Sequence, residues 1–199
     1  ALSLLPGDRR RVSKAIALLI LCSTPAHAQS GLQDFQNGDF EKASAEFQEA
    51  LKSQPNSRKL QFNAGTAAYK AGDFESAITH FTGALLGKDR QLRGNASYNL
   101  ANSLVRKGEG AEQPESKKTA WESAVEHFEE ALRLNPKNKN AQENLEVTKK
   151  LLEELEKQQQ QDQEQEENQD QEGDKQENQD QSQSQNEQKQ DDQQQDQSS

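Results

Sequence analysis

Three asparagines, Asn63, Asn99 and Asn102, carry the side chains whose chemistry stands out in this sequence, and that chemistry is recognition. An amide both donates and accepts, so it can hold the backbone of an extended ligand without reading its side chains. The other use of a helical Asn is to satisfy a neighbouring helix, and it needs some such local reason because Asn is a poor helix former. Lys70 and Arg106 can attract an acidic ligand or stay solvated. Groups for covalent or acid-base chemistry are scarce. His80 and His127 fall in separate segments with no H-x-x-x-H pair, His27 lies in a head segment, and Cys22 is the only cysteine. No nucleophile or phosphate motif accompanies them. The expectation is a non-enzymatic protein with no cofactor and no metal site, in which Trp121 is a core aromatic.

The elements that must position these amides are helical hairpins. Leu60 to Leu86, LQFNAGTAAYKAGDFESAITHFTGALL, reads as two short helices around a Gly-Asp turn. Gly65, Ala68, Ala77 and Ala84 let the two backbones approach, while Phe62, Tyr69, Phe74, Ile78, Phe81 and Leu85 fill the space between them. Gly72 suits a left-handed cap at the end of the first helix. Asp73 suits the free amides that open the second.

One hairpin cannot bury both of its apolar faces, and the pattern does recur. A shift of 34 residues carries Gly72-Asp73-Phe74, Ala77, Phe81 and Ala84-Leu85 onto Gly38-Asp39-Phe40, Ala43, Phe47 and Ala50-Leu51, with Pro55 following. A third copy is altered. Tyr98-Asn99-Leu100-Ala101-Asn102 and Leu104 match a first helix ending at Gly108, and Ala124, Phe128, Ala131-Leu132 and Pro136 match a second. About eleven extra residues open the turn between them, and Trp121 takes the aromatic position. With Pro114 suited to a helix start, a loop at 109–113 and a second helix longer by one to two turns are expected. After Pro136, Ala141, Leu145, Thr148, Leu152 and Leu155 form one narrow apolar stripe on a closing helix.

The pattern G-D-F-x-x-A-x-x-x-F-x-x-A-L at this period resembles the tetratricopeptide repeat. The resemblance implies an all-α fold: a short solenoid of three helical hairpins plus a C-terminal capping helix. Repeats are expected at about 29–57, 58–91 and 94–138, with the cap at 139–157. It also implies a concave groove lined by the first helix of each hairpin, which places Phe62, Asn63, Thr66, Tyr69 and Lys70, then Tyr98, Asn99, Asn102, Val105 and Arg106, against a protein ligand.

Charge is uneven along the chain. The net −10 divides into +3 over residues 1–28, −2 over 29–157 and −11 over 158–199. The central bases are mixed with acids, so no clustered positive face points to nucleic acid. With Cys22 in the head, the centre can hold no internal disulfide. Residues 1–28 combine the basic run RRRVSK, the apolar run Ala15 to Cys22 and the small-x-small site Ala26-His27-Ala28, the layout of a secretory signal peptide. The apolar run is well short of the roughly 20 residues needed to span a bilayer. The other readings, a lipoprotein site at Cys22 or a buried helix, are disfavoured by Leu21 before the cysteine and by the RRR flank. Cleavage after Ala28 would leave Gln29 to Asn37, about two turns, as the first helix. The absence of Met at position 1 leads us to expect that the natural N-terminus lies upstream.

The segment from Gln158 onward has nineteen Gln, thirteen acids and no aliphatic or aromatic residue. Such a composition builds no core, so a disordered acidic tail is expected, with the cap helix running a few turns into it. It shows no loop spacing for Ca²⁺.

Leader, repeats carrying YNLANSLVRKG and FEEALRLNPKNKNAQENLEVTKKLLEEL, and a Gln/Glu-rich tail together resemble the tetratricopeptide proteins of bacterial Bat (Bacteroides aerotolerance) operons. That resemblance implies an exported protein of the periplasm or the periplasmic face of the inner membrane. It implies association with membrane-anchored von Willebrand A-type proteins, touching the membrane only through a partner or an uncleaved signal. The alternative function is a periplasmic holdase for exported chains.

Overall fold

Runs of helix-forming residues, punctuated by Gly-Asp at 38–39 and 72–73 and by Pro55 and Pro136, fold as that punctuation requires. The computed structural model describes residues 26–163, and among them are seven helices and no strand. They are α1 (Ala26–Asn37), α2 (Phe40–Ser53), α3 (Arg58–Ala71), α4 (Phe74–Leu85), α5 (Arg90–Glu109) and α6 (Pro114–Leu134). The seventh, α7, is helical from residue 139 to 163. No helix among the described residues is long and apolar enough to cross a membrane. The chain forms two units, Ala1–Leu151 and Leu152–Ser199. In the second, the described residues 152–163 are helical, and Lys157 Nζ donates to Glu153 Oε1 at 2.7 Å.

In the first unit the helices pack in sequence as antiparallel neighbours, α1 on α2 through to α5 on α6, and the inner helices α3 and α5 also touch. The turn chemistry matches expectation. Gly38 and Gly72 have φ of 86° and 82°, the left-handed region open to glycine. Asp73 Oδ1 accepts from Ser76 N at 3.0 Å and so caps α4. Asp39, in the same place before α2, makes no such bond.

The core is a glycine and aromatic pairing, repeated. A Cβ on Gly31 would stand 3.0 Å from the Phe47 ring, and one on Gly65 would stand 2.8 Å from Phe81. Those two contacts are 34 residues apart. Phe47, Phe81 and Phe128 are each essentially inaccessible to solvent, and burying a ring of this size contributes about 1.5–3 kcal/mol. Around them Ala43, Ala50, Ala77, Ala84, Ala124 and Ala131 are fully covered. Small residues there bring the helix axes close enough for the rings to fill the space between them.

The third hairpin is opened where the insertion placed it. Residues 110–113 form the connection, Pro114 sits in the first turn of α6, and α6 runs 21 residues against 14 for α2 and 12 for α4. Its inner partner starts earlier than the expected repeat boundary at 94. Asp89 Oδ1 accepts from the amides of Gln91 and Leu92 at 2.9 and 3.0 Å, so α5 opens at Arg90.

At the other end α1 begins at Ala26, three residues before Gln29. Ala28 joins the core with Ala43 and Phe47, and His27 Nδ1 lies 2.7 Å from Glu46 Oε2. Residues 1–25, the rest of the expected leader, and residues 164–199, most of the acidic tail, lie outside the described residues. Helix α7 passes the boundary expected at 157, as a Gln-rich, helix-favouring sequence allows.

Candidate functional site

Side chains from α3, α5 and α7 meet over one concavity of about 290 Å³. Thr66, Tyr69 and Lys70 border it from α3, Tyr98, Asn99 and Asn102 from α5, and Asn144 from α7, with the edge of Phe81 as apolar floor. Six of the ten residues expected in the groove therefore surround one space. A smaller hollow of about 130 Å³ adjoins it, lined by Leu32, Phe35, Phe47, Phe62, Asn63 and Thr66. Thr66 belongs to both. Its hydroxyl donates back to the Phe62 carbonyl at 2.8 Å.

The three asparagines divide between the two uses open to them. Asn102 Oδ1 accepts from Asn144 Nδ2 at 2.7 Å, which ties α5 to α7. The same Asn144 amide reaches the Tyr98 hydroxyl at 3.4 Å, a long contact. Asn63 and Asn99 are half-buried, and neither side chain hydrogen-bonds to another described residue. These two amides keep their donors and acceptors for a ligand or for water. Asn144 is a residue that the sequence reading passed over. It sits between Ala141, Leu145 and Thr148, all buried, so an amide interrupting that apolar face was the available signal.

Three expected groove residues are used elsewhere. Arg106 pairs with Glu109 at 2.6 Å and its guanidinium lies 5.5 Å from the centre of the Phe74 ring, so it covers the end of the α3–α4 hairpin and does not border the concavity. Val105 packs against the core of the third hairpin, and its carbonyl accepts from Trp121 Nε1 at 3.2 Å. Phe62 meets Phe81 edge to face at 5.7 Å, so most of its ring is core while one side lines the smaller hollow. The physical reason is common to all three. Each position at the groove's edge is shared with packing behind it, a ring of α4 for Arg106 and Phe62 and the core of the third hairpin for Val105, and the nearer partner decides which side wins.

Electrostatically the larger concavity is simple. Its one charged lining residue, Lys70, is exposed and makes no ion pair with another described residue, and no acid lines the space. Burial raises the pKa of the Tyr69 hydroxyl, against the opposing pull of Arg106, so the phenol remains a neutral donor. Trp121 is buried in the third hairpin, consistent with a core role. His80 Nδ1 lies 2.8 Å from Gln61 Oε1, and burial lowers the pKa of both His80 and His127. Among the described residues no group of three His, Cys, Asp or Glu side chains is placed to hold a metal.

Comparison with known proteins supports the geometry. The tetratricopeptide-repeat family matches residues 30–91 and again 62–115. No curated protein matches the chain in sequence. Among solved structures, the first repeat domain of Spaghetti (RPAP3) bound to the HSP90 peptide SRMEEVD is 18% identical with a TM-score of 0.53, over 63% of this chain and 90% of that one. The second repeat domain of human RPAP3, in complex with the HSP70 peptide SGPTIEEVD, is 22% identical with a TM-score of 0.53, over 62% and 92%. The Yersinia enterocolitica type III secretion translocator chaperone SycD is 17% identical with a TM-score of 0.52, over 73% and 93%. At these identities the likeness speaks for the fold. The 34-residue repeat in the sequence, the family match over residues 30–115 and the stacked hairpins agree, and the described residues have an all-α fold of the tetratricopeptide-repeat type.

Proposed function

We propose that this chain is a non-enzymatic adaptor that holds an extended segment of a partner protein along the face formed by α1, α3, α5 and α7. One observation carries the reading: six side chains from two inner helices converge on a single concavity in which the Asn99 amide and the Lys70 ammonium have no partner within the described residues. Asn63 continues that free polarity into the adjoining hollow. An extended ligand offers backbone donors and acceptors that such amides can match. A photo-activatable residue at position 99 of the full chain, expressed in its own cells, is expected to give one discrete protein adduct that Thr66→Trp abolishes. An absent adduct, or one that Thr66→Trp leaves unchanged, would overturn the reading.

The finer assignment rests on sequence layout. The leader-like head, the repeats and the Gln/Glu-rich tail favour export to the periplasm or its membrane face. They also favour a partner in a Bat-type complex with von Willebrand A-type proteins. N-terminal sequencing of the exported form tests the leader, with a start at Gln29 as the expected result. The exposed Leu32 beside an apolar hollow favours a second reading, a holdase. Suppression of aggregation of unrelated unfolded chains, lost in Thr66→Trp, would support that reading in place of a single-partner adaptor.

A further inference from the structure

The inner face carries two adjoining hollows of opposite character, and together they specify a ligand pattern. The smaller, about 130 Å³, is walled by Leu32, Phe35, Phe47 and Phe62, with the Asn63 amide at its rim. That volume is roughly four water-sized spaces, matching the four carbons of a leucine or isoleucine side chain. Leu32 is 48% exposed there, leaving an apolar wall without a cover among the described residues. The larger, about 290 Å³, is walled by amides and phenols, with Lys70 as its only charge. An ammonium with no acid among the residues lining its hollow is complementary to a carboxylate side chain. Thr66 is the shared wall, so one strand can enter both.

The separation of the two sites follows from helix geometry. Their α3 contributions, residues 62–66 and 66–70, are offset by about one turn, ~5 Å along the axis. The hollows flank one face of α3, the smaller opening toward Leu32 and Phe35 of α1 and the larger toward Tyr98 and Asn102 of α5, about one helix spacing, ~10 Å, apart. The resulting ~11 Å is spanned by about three or four residues of extended chain.

We propose that the partner segment is an extended stretch carrying an aliphatic side chain, bound in the hollow between α1 and α3, and an Asp or Glu three or four positions away, bound at Lys70. This deepens the adaptor reading and rests on it. Asn63 and Asn99 hold the ligand backbone at and beyond the shared wall, and the two flanking hollows set its register.

The test is selection of a displayed random decapeptide library on the full chain, followed by affinity measurement of the selected peptides. Enrichment of an aliphatic residue three or four positions from Asp or Glu is expected. Lys70→Glu should weaken those peptides at least tenfold and, on reselection, exchange the acid for Lys or Arg while keeping the aliphatic residue. Leu32→Asp should do the reverse and remove only the aliphatic preference. Both positions are exposed, so neither substitution threatens folding. Selected peptides that lack the pattern, or that bind Lys70→Glu unchanged, overturn the proposal. If those peptides are still displaced by Thr66→Trp, the adaptor reading survives its loss. If they ignore Thr66→Trp, or if no peptide is enriched, both fail. A dimer in sedimentation that Thr66→Trp dissolves would mean that a second copy fills the groove, and would overturn the proposal too.

Discussion

The middle hairpin, α3–α4, and the third, α5–α6, solve the same packing problem with different turns. In the middle hairpin the chain reverses through Gly72 in the left-handed region, Asp73 caps the next helix, and Tyr69 meets Phe74 edge to face at 5.6 Å. In the third, the connection is longer, and Gly110 keeps an ordinary helical backbone at its head. The closing contact has moved from the turn into the helices. Gly108 lies flat under Trp121, where a Cβ would stand 2.5 Å from the indole nitrogen, and that nitrogen donates to the Val105 carbonyl. A short turn fixes helix geometry through backbone conformation. A long one leaves it to side-chain packing, and here a glycine and a tryptophan supply it.

The difference can be broken at several points. The largest effect is expected where the two hairpins are alike. Phe81→Ala and Phe128→Ala each empty a fully buried site and should cost about 3–5 kcal/mol in urea unfolding. A much smaller loss in either would mean that the rings do not hold the hairpins together. Next, Gly108→Ala should cost about 1–3 kcal/mol by forcing Trp121 away, whereas Gly110→Ala, with nothing nearer than 3.7 Å to the new Cβ, should be close to neutral. Equal melting temperatures for the two variants would refute the packing account of the third hairpin.

Gly72→Ala should cost about 1–2 kcal/mol, the strain of a left-handed Cβ, while lengthening the 110–113 connection by one residue should cost well under 1 kcal/mol. Asp73→Ala should lose about 1 kcal/mol of capping, and Asp39→Ala less, because Asp39 makes no cap bond. Thermal melts of the pair decide it.

The smallest effect is a pH dependence. Burial lowers the pKa of His80, against Asp73, and of His127, against Glu126 and Glu130. The unfolded chain therefore takes up protons first as pH falls through about 6.5, so stability is full above that value and declines below it. Melting temperature should drop between pH 7 and pH 5, and the slope should flatten when His80 and His127 are both replaced by Gln. An unchanged slope would assign the acid sensitivity to other groups.

Much of this was legible in the residues. The 34-residue spacing of Gly-Asp-Phe, Ala and Phe predicts the hairpins because both the turn and the ring that fills it depend on local composition. The opened third hairpin was legible for the same reason, since Pro114 and the extra residues before Trp121 are local signals. The groove was read less well. Thr66, Tyr69, Lys70, Tyr98, Asn99 and Asn102 do share one concavity, but Arg106 turns to Phe74 of the neighbouring hairpin and Val105 packs into the core of its own. Nothing in helical spacing says which of two neighbours captures a side chain at the border between them.

The sequence by itself determined the helices, their caps and the stacking of small residues against aromatic rings, because those depend on contacts repeated at a fixed interval. Only the tertiary structure decided the chemistry of the inner face. Asn102 is spent on Asn144, 42 residues away, while Asn63 and Asn99 are left with open hydrogen-bonding capacity. Three amides that are equivalent in one dimension differ because the closing helix sets a hydrogen-bonding side chain, Asn144, against only one of them.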